Sequence, residues 1–278
     1  MSASPSLGVG WGNMCMGSPD NPTYAPPELV FRGWPEAMAA HRLDVIFAQE
    51  VMEHHVPLMA KILGTKYFRF TPMHHMECAP GDRNRLGLAV FSHLPFRDLQ
   101  EVYYGTFNAH PRIAHEREEV GSTDGRLLSC VFQQIAVVAG GVEFILGSSH
   151  APWTYAHDTE FGFIQDAGFH QLLANFGPHG PLSRDQVCGI DTNRPRDAKA
   201  SAGLPPGWQV FEQVGLTDRV PAWVTSTFDP VYHKGAKAGL EFVLDGLFAG
   251  PSYEVPDYEL IPGISDHLGY AARIVRAA

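Results

Sequence analysis

Two polar residues stand directly after apolar runs, where a folded protein commonly places catalytic groups. Glu50 lies just beyond the run Leu43–Ala48, and His150 lies just beyond the run Val142–Gly147. A carboxylate at such a position can bind a hard cation such as Mg²⁺, and an imidazole can donate a hydrogen bond to a phosphate oxygen. Taken singly, a Glu or a His at a strand end is more often an ordinary surface or capping residue.

Asp191 and Asn193 are two residues apart and follow the apolar run Val187–Ile190. Residues with this spacing at the end of a strand can point to the same side. One carboxylate and one amide on the same side suit a general base and a phosphate clamp. The same Asp-Thr-Asn sequence is also typical of an Asx turn.

Asp245 lies inside the apolar run Phe242–Phe248. A charge there is costly unless it is paired or bound to a metal, so this residue favours a functional site over a structural one. Asp266 and His267 are adjacent, just before the last apolar run of the chain. They could serve a metal and a phosphate respectively.

The elements that must position these residues are mostly strands. Apolar runs predict strands over residues 6–11, 43–48, 67–70, 86–91, 127–138, 142–148, 187–190, 242–248 and 269–275. Helices are predicted over Glu36–His41, Glu53–Leu63, Asp158–Phe176 and Trp208–Val214. Many strands with few helices predict two packed sheets with helices outside, and we expect a single domain over residues 1–278.

Charge and cysteine content exclude several classes of protein. The 20 Lys+Arg against 30 Asp+Glu give a formal net charge of −10, which disfavours tight binding of extended nucleic acid. The four cysteines form no CxxC pair, so neither a disulfide framework nor a zinc knuckle is predicted. Since no membrane-spanning run and no secretory signal is visible, we expect a cytoplasmic protein without a membrane partner.

The order of these motifs carries more information than any one of them. From Asn13 to Arg273 the sequence resembles the endonuclease/exonuclease/phosphatase (DNase I-like) superfamily, through Gln-Glu after a strand, Gly-Leu-Ala-Val-Phe-Ser, Ser-His, Gly-x-Asp-x-Asn, an Asp in an apolar run and Ser-Asp-His. Several segments look closest to the tyrosyl-DNA phosphodiesterase 2 branch: Asp44–Val51, Asp191–Arg196, Gly203–Gly215, Thr225–Asp229 and Ser265–Gly269.

The sequence also departs from that branch. Ile190 stands where the branch has Gly, Ser149 stands where it has Thr, and residues 151–157 lack its Arg. The segment Thr71–Arg85 has no recognisable counterpart, and its His74, His75, Glu77 and Cys78 match no standard metal site. These differences weaken the prediction of a DNA-adduct substrate more than they weaken the prediction of phosphate-ester hydrolysis.

The resemblance implies a four-layer α/β sandwich of two packed mixed β-sheets flanked by helices, and a phosphate-ester substrate. It implies that Mg²⁺ or Mn²⁺ is held by Glu50, Asn13 and Asp266. It also implies that Asp191 activates water, that Asn193 and His150 bind phosphate oxygens, and that His267 acts as a cation oriented by Asp245.

Substrate choice must depend on other residues. Arg194 and Arg196 could bind a second phosphate. Aromatic rings could stack on a base or a tyrosyl ring, although packing in the core or at the rim is the commoner role: Trp11, Trp153, Tyr155, Trp208, Trp223 and Phe228.

Three functions remain open from the sequence. The first is a phosphodiesterase acting on a nucleotide-linked or small phosphodiester. The second is a phosphomonoesterase or a lipid phosphodiesterase with the same core. The third is a repurposed protein that catalyses another reaction or binds a small ligand. The sequence does not indicate an oligomeric state.

Overall fold

The computed structural model describes residues 5–14, 33–77, 83–104, 130–151, 168–200, 203–229 and 241–277. Within them, twelve strands form two six-stranded sheets. None of the helices in these ranges is long and apolar enough to cross a lipid bilayer.

The first sheet, sheet A, has two mostly buried strands at its centre. Its members are β1 (Ser6–Asn13), β2 (Val45–Met52), β3 (Tyr67–Glu77), β4 (Arg83–Ser92), β11 (Tyr253–Ile261) and β12 (Gly269–Arg276). Their order is β11-β12-β1-β2-β4-β3. β1 and β2 run parallel, and the other neighbouring pairs of these strands run antiparallel.

The second sheet, sheet B, repeats this arrangement. It contains β5 (Phe96–Tyr104), β6 (Cys130–Ala139), β7 (Val142–His150), β8 (Val187–Asp191), β9 (Thr217–Asp218) and β10 (Asp245–Ala249). The order is β5-β6-β7-β8-β10-β9, with β7 and β8 parallel and the remaining neighbours antiparallel. Both sheets are therefore mixed.

Helices cover the outer faces of the two sheets. Helix α1 (Gly33–His41) and helix α2 (Val56–Leu63) bury Trp34, Met38 and Met59 against the outer face of sheet A. Helix α3, described over 168–175, and the short helix α4 (Gln209–Glu212) bury aromatic side chains against sheet B. The predicted four-layer α/β sandwich is confirmed.

The side chains of strand β2 alternate between the two faces of sheet A. Val45 and Phe47 enter the core between the sheets, whereas Ile46 and Ala48 enter the core under the helices. The pairing of β2 with β4 then shifts between Ala48 and Val51, and Glu50 has a left-handed backbone with φ of 52°. This bulge interrupts the alternation and turns Glu50 towards sheet B.

The predicted strands are confirmed in kind, with ends displaced by a few residues, but β5, β9 and β11 were not predicted. β5 and β11 are edge strands, whose charged and exposed side chains obscure an apolar pattern. β11 also contains Pro256, which lies within a register shift between Glu254 and Asp257. The start of the predicted helix Asp158–Phe176 lies outside the described residues.

Candidate active site

The candidate site lies where strand ends of both sheets meet. Asn13 ends β1, and it pairs with Gln49, next to Glu50. His150 ends β7 and pairs with Asp191, the last residue of the parallel strand β8. Because β10 is antiparallel to β8, its first residue, Asp245, lies opposite Asp191. The topology thus gathers polar residues from five strands.

Asn13 connects two carboxylates from different sheets. Its Nδ2 donates to Glu50 Oε1 at 3.1 Å and to Asp191 Oδ2 at 2.9 Å. The side chain is 2% exposed, so both bonds are made away from water. One amide therefore holds Glu50 and Asp191 on either side of itself.

His150 lies against the same two carboxylates. Its Nε2 is 3.0 Å from Glu50 Oε1 and 3.5 Å from Asp191 Oδ2. Burial alone would lower the pKa of His150, but the hydrogen bond to Glu50 and the two negative charges raise it. Burial would raise the pKa of Glu50, yet the hydrogen bond and charge of His150, helped by Asn13, lower it to about 2. The two groups therefore form an ion pair.

Asp191 and Asn193 form an Asx turn that also belongs to the site. The Asn193 backbone N–H donates to Asp191 Oδ1 at 3.0 Å, and Asn193 has a left-handed backbone with φ of 48°. Its Nδ2 donates to Ala151 O at 2.9 Å and lies 3.4 Å from His150 Nε2. The Asx turn is confirmed, and it places the Asn193 amide beside His150.

His267 pairs with the buried carboxylate of Asp245. Its Nδ1 is 2.8 Å from Asp245 Oδ2 and 3.8 Å from Asp191 Oδ2. Burial would lower the pKa of His267, but the charges of Asp245 and Asp191 and the hydrogen bond to Asp245 raise it well above its ordinary value. The neighbouring carboxylates therefore favour the protonated imidazole, and Asp245 is paired as its position in an apolar run requires.

Thr227 and Ser265 hold this pair in place. Thr227 Oγ1 accepts from the backbone N–H of Asp245 at 3.2 Å. Burial raises the pKa of the Asp245 carboxyl, and the charge of His267 and the hydrogen bonds to His267 and Thr227 offset only part of that rise. Ser265 Oγ donates to Asn13 O at 2.6 Å and accepts from the His267 N–H at 3.0 Å. The Ser265 hydroxyl thus links the last motif of the chain to the end of β1, and the Thr227 hydroxyl fixes the start of β10.

Two sets of residues could hold a metal ion. Asp191, Asp245 and His267 offer ligand atoms within 4.8 Å of one another. Binding of a metal to this set would require the neutral form of His267, whereas the neighbouring carboxylates raise the pKa of His267. The predicted set fits a hard cation better, since Glu50, Asn13 and Asp266 offer oxygen atoms. Asp266 Oδ1 is buried and has no hydrogen-bond partner among the residues that the structure describes.

Arg194 and Arg196, which were predicted to bind substrate, contact backbone carbonyls and a carboxylate outside this cluster. Arg194 is buried and donates to Lys199 O at 3.1 Å and to Pro205 O at 3.4 Å. Arg196 donates to Val220 O and contacts Asp218, each at 2.7 Å, above the ring of Trp208. Each guanidinium group therefore has partners outside the cluster, and the binding of a second phosphate by Arg194 and Arg196 stays a prediction.

We expect Arg196→Gln to destabilise the protein by about 1–3 kcal/mol, as for a lost charged hydrogen bond, with KM for any substrate changed less than about twofold. Thermal unfolding and steady-state kinetics on one preparation would check this. A large rise in KM with unchanged stability would instead support the substrate-binding role predicted from the sequence.

Two of the aromatic residues that could stack on a substrate are packed in the core. Trp11 and Trp208 are buried, with indole N–H groups bonded to Gly147 O at 3.1 Å and Arg194 O at 2.9 Å. Phe228 lies edge-on to His267, 5.3 Å between ring centroids. Trp153, Tyr155, Cys78 and the side chains of His74, His75 and Glu77 lie outside the described part of the structure.

Thr227 and Gln49 were not selected as site residues from the sequence. Both are buried polar side chains, and Gln49 lies directly after an apolar run. A buried polar residue beside a predicted catalytic residue is the signal that could have identified them.

No protein-family model matches the sequence, and no curated protein is significantly similar to it. Solved structures do match. An endonuclease/exonuclease/phosphatase from Beutenbergia cavernae is 16% identical, with a TM-score of 0.69 over 99% of this chain and 72% of that one. A mannosyl-6-phosphatase from Bacteroides thetaiotaomicron is 14% identical, with a TM-score of 0.64 over 97% of this chain and 99% of that one.

D. rerio TDP2, in a complex with a single-strand DNA product, is 14% identical, with a TM-score of 0.61 over 97% of this chain and 98% of that one. The chain therefore has the endonuclease/exonuclease/phosphatase fold, as its motifs implied. TDP2 is one of several proteins that share this fold with it.

Proposed function

We propose that this protein is a Mg²⁺- or Mn²⁺-dependent phosphoesterase that hydrolyses a nucleotide-linked or small phosphodiester. The observation that carries the proposal is the cluster of His267, paired with Asp245, beside Asp191 and within reach of Asn13. A buried cation and a buried carboxylate side by side can bind a phosphate and activate a water against it. We also propose that residues 1–278 act as one catalytic domain.

In this proposal the roles follow from the contacts of each side chain. His267 and His150 present positive charge to the nonbridging oxygens, and Asn193 Nδ2 donates a hydrogen bond beside His150. Asp191 accepts from Asn13 and from the Asn193 backbone, which orient its carboxylate towards an attacking water. Rate acceleration would come from positioning and from charge stabilisation of an in-line displacement.

Glu50, Asn13 and Asp266 would hold the divalent cation. When bound, the cation would neutralise phosphate charge and stabilise the leaving oxygen. Asn13 would then contribute its side-chain carbonyl oxygen to the cation, while its Nδ2 keeps the bond to Asp191.

A second candidate is a phosphomonoesterase. It is favoured by the likeness to the mannosyl-6-phosphatase, which extends over 97% of this chain and 99% of that one. The net charge of −10 continues to disfavour extended nucleic acid as the substrate.

A substrate panel tests the proposal. It contains an aryl phosphodiester, an aryl phosphomonoester and a 5′-tyrosyl oligonucleotide, each with and without Mg²⁺ and Mn²⁺, and His267→Ala serves as the blank. We expect metal-dependent turnover of a diester that disappears in the variant. Preference for the monoester would favour the second candidate, and no turnover by folded protein with metal bound would contradict both and favour a repurposed site.

A further inference from the structure

The candidate site is divided between two sheets: backbone hydrogen bonds join residues 227–229 to residues 266–268 beside His267, whereas β2 and β7 meet there through side chains. Glu50 belongs to β2 of sheet A, and His150 belongs to β7 of sheet B. Their ion pair, 3.0 Å from Oε1 to Nε2, therefore depends on how far apart the sheets stand at this end. No strand pairing connects β2 to β7, so side-chain contacts between these two strands contribute to that distance.

Gln49 crosses the gap beside this ion pair. By the alternation of β2 it faces sheet B, and it is 1% exposed. Its Nε2 donates to Ser149 O at 2.8 Å and lies 3.4 Å from Ser148 Oγ. The donor residue immediately precedes Glu50, and the acceptor residue immediately precedes His150.

The acceptor end of this link is itself fixed. Ser149 Oγ donates to Val131 O at 2.7 Å, so its only proton is used there. The Tyr104 hydroxyl, 2.6 Å from the same oxygen, is therefore the donor of that second bond. Ser149 is held by β5 and β6 on one side and by Gln49 on the other, and it cannot follow a movement of sheet A.

We propose that Gln49 is a positioning residue that sets the separation of the Glu50 carboxylate from the His150 imidazole. This buried bond stabilises the contact of β2 with β7, because Ser149 O has the β7–β8 ladder as its first partner and loses its second donor when the Gln49 amide is removed. Without the bond, the end of β2 can move away from β7 and carry Glu50 with it. The effect on catalysis rests on the proposed function, whereas the effect on geometry does not.

Tyr253 provides a matched control. Its hydroxyl accepts a hydrogen bond from the Ile145 N–H at 2.9 Å, which also joins sheet A to β7. Tyr253 is fully buried, and Ile145 lies five residues before His150 along the strand. Tyr253→Phe therefore leaves one backbone group of β7 without its cross-sheet partner, as Gln49→Met does, but away from the site.

Crystal structures and kinetics of the two variants test the proposal. In Gln49→Met we expect a longer Glu50–His150 separation and a kcat lower by about 10- to 100-fold, the scale of a 1 Å misplacement, with KM nearly unchanged. In Tyr253→Phe we expect a similar loss of thermal stability but wild-type separation and kcat. Should Gln49→Met not fold, Gln49→Asn, which is one methylene shorter, has the same expected outcome.

The outcomes separate this inference from the proposed function. An unchanged separation in the folded Gln49 variant overturns the positioning role, whatever the activity of the wild type. If the Gln49 variant has the same kcat as Tyr253→Phe, the positioning role is also overturned. That outcome does not contradict the proposed hydrolase activity. If the wild type hydrolyses no phosphoester, the proposed function fails, and the measured separation still decides the role of Gln49.

Discussion

Asp191→Asn should lower kcat for phosphoester hydrolysis by about 10²- to 10⁴-fold, the range of a lost general base. Asp191 is fully buried and accepts from Asn13 Nδ2 and from the Asn193 N–H through different oxygens. An asparagine keeps the shape but cannot take a proton from water, and its amide N–H₂ would face one of these donors. Steady-state kinetics with the best substrate of the panel would measure the loss.

Asp44→Asn is the control for this prediction. Asp44 Oδ2 accepts a hydrogen bond from the Gly8 N–H at 3.0 Å, just before β2 and thus at the end of sheet A opposite Glu50. The Asp44→Asn substitution changes an aspartate that accepts a backbone hydrogen bond but does not touch the site. The kcat of this variant should therefore stay within about twofold of wild type. Equal activity of Asp191→Asn and this control would exclude Asp191 as the base.

His267→Gln and Asp245→Asn should each lower kcat/KM by about 10²- to 10³-fold, and the double variant should lose little more than the worse single one. The reason is that the two side chains act as a unit, 2.8 Å apart and both buried. Without Asp245 the pKa of His267 would fall, because burial is then opposed by less negative charge. The imidazole would lose the positive charge proposed to bind phosphate.

A double-mutant cycle on kcat/KM measures this coupling. Additive losses would show that the two residues act independently and would contradict the pairing.

The pH dependence of the activity has a defined sign. Since the pKa of folded His267 is raised, its cationic form is fully present below the ordinary histidine pKa and is lost as pH rises through the raised value. Wild-type activity should therefore persist through neutral pH and decline at the alkaline side.

Much of the candidate site could be predicted from local patterns. Apolar runs ending in Glu50, His150 and Asp191 marked strand ends, and Asp245 inside such a run required a partner. These inferences depend on alternation and on the cost of burying charge, which act over a few residues. The edge strands β5 and β11 were not predicted, because exposed strands carry no such pattern.

Other features depended on contacts between distant parts of the chain. Arg194 and Arg196 follow the Asp-Thr-Asn motif, yet the structure turns their guanidinium groups to backbone carbonyls and Asp218. The left-handed Glu50 arises from a bulge against β4. Neither outcome has a local signal, because the partners lie far away or on another strand.

The sequence by itself determined which polar residues follow or interrupt apolar runs, because burial periodicity and the cost of an unpaired charge are local properties. Only the tertiary structure decided which of them meet. Asn13 bonds Asp191 across 178 residues, and Gln49 reaches Ser149 across 100. These contacts exist because two separately hydrogen-bonded sheets pack face to face, and side-chain packing between sheets is not encoded in any one segment.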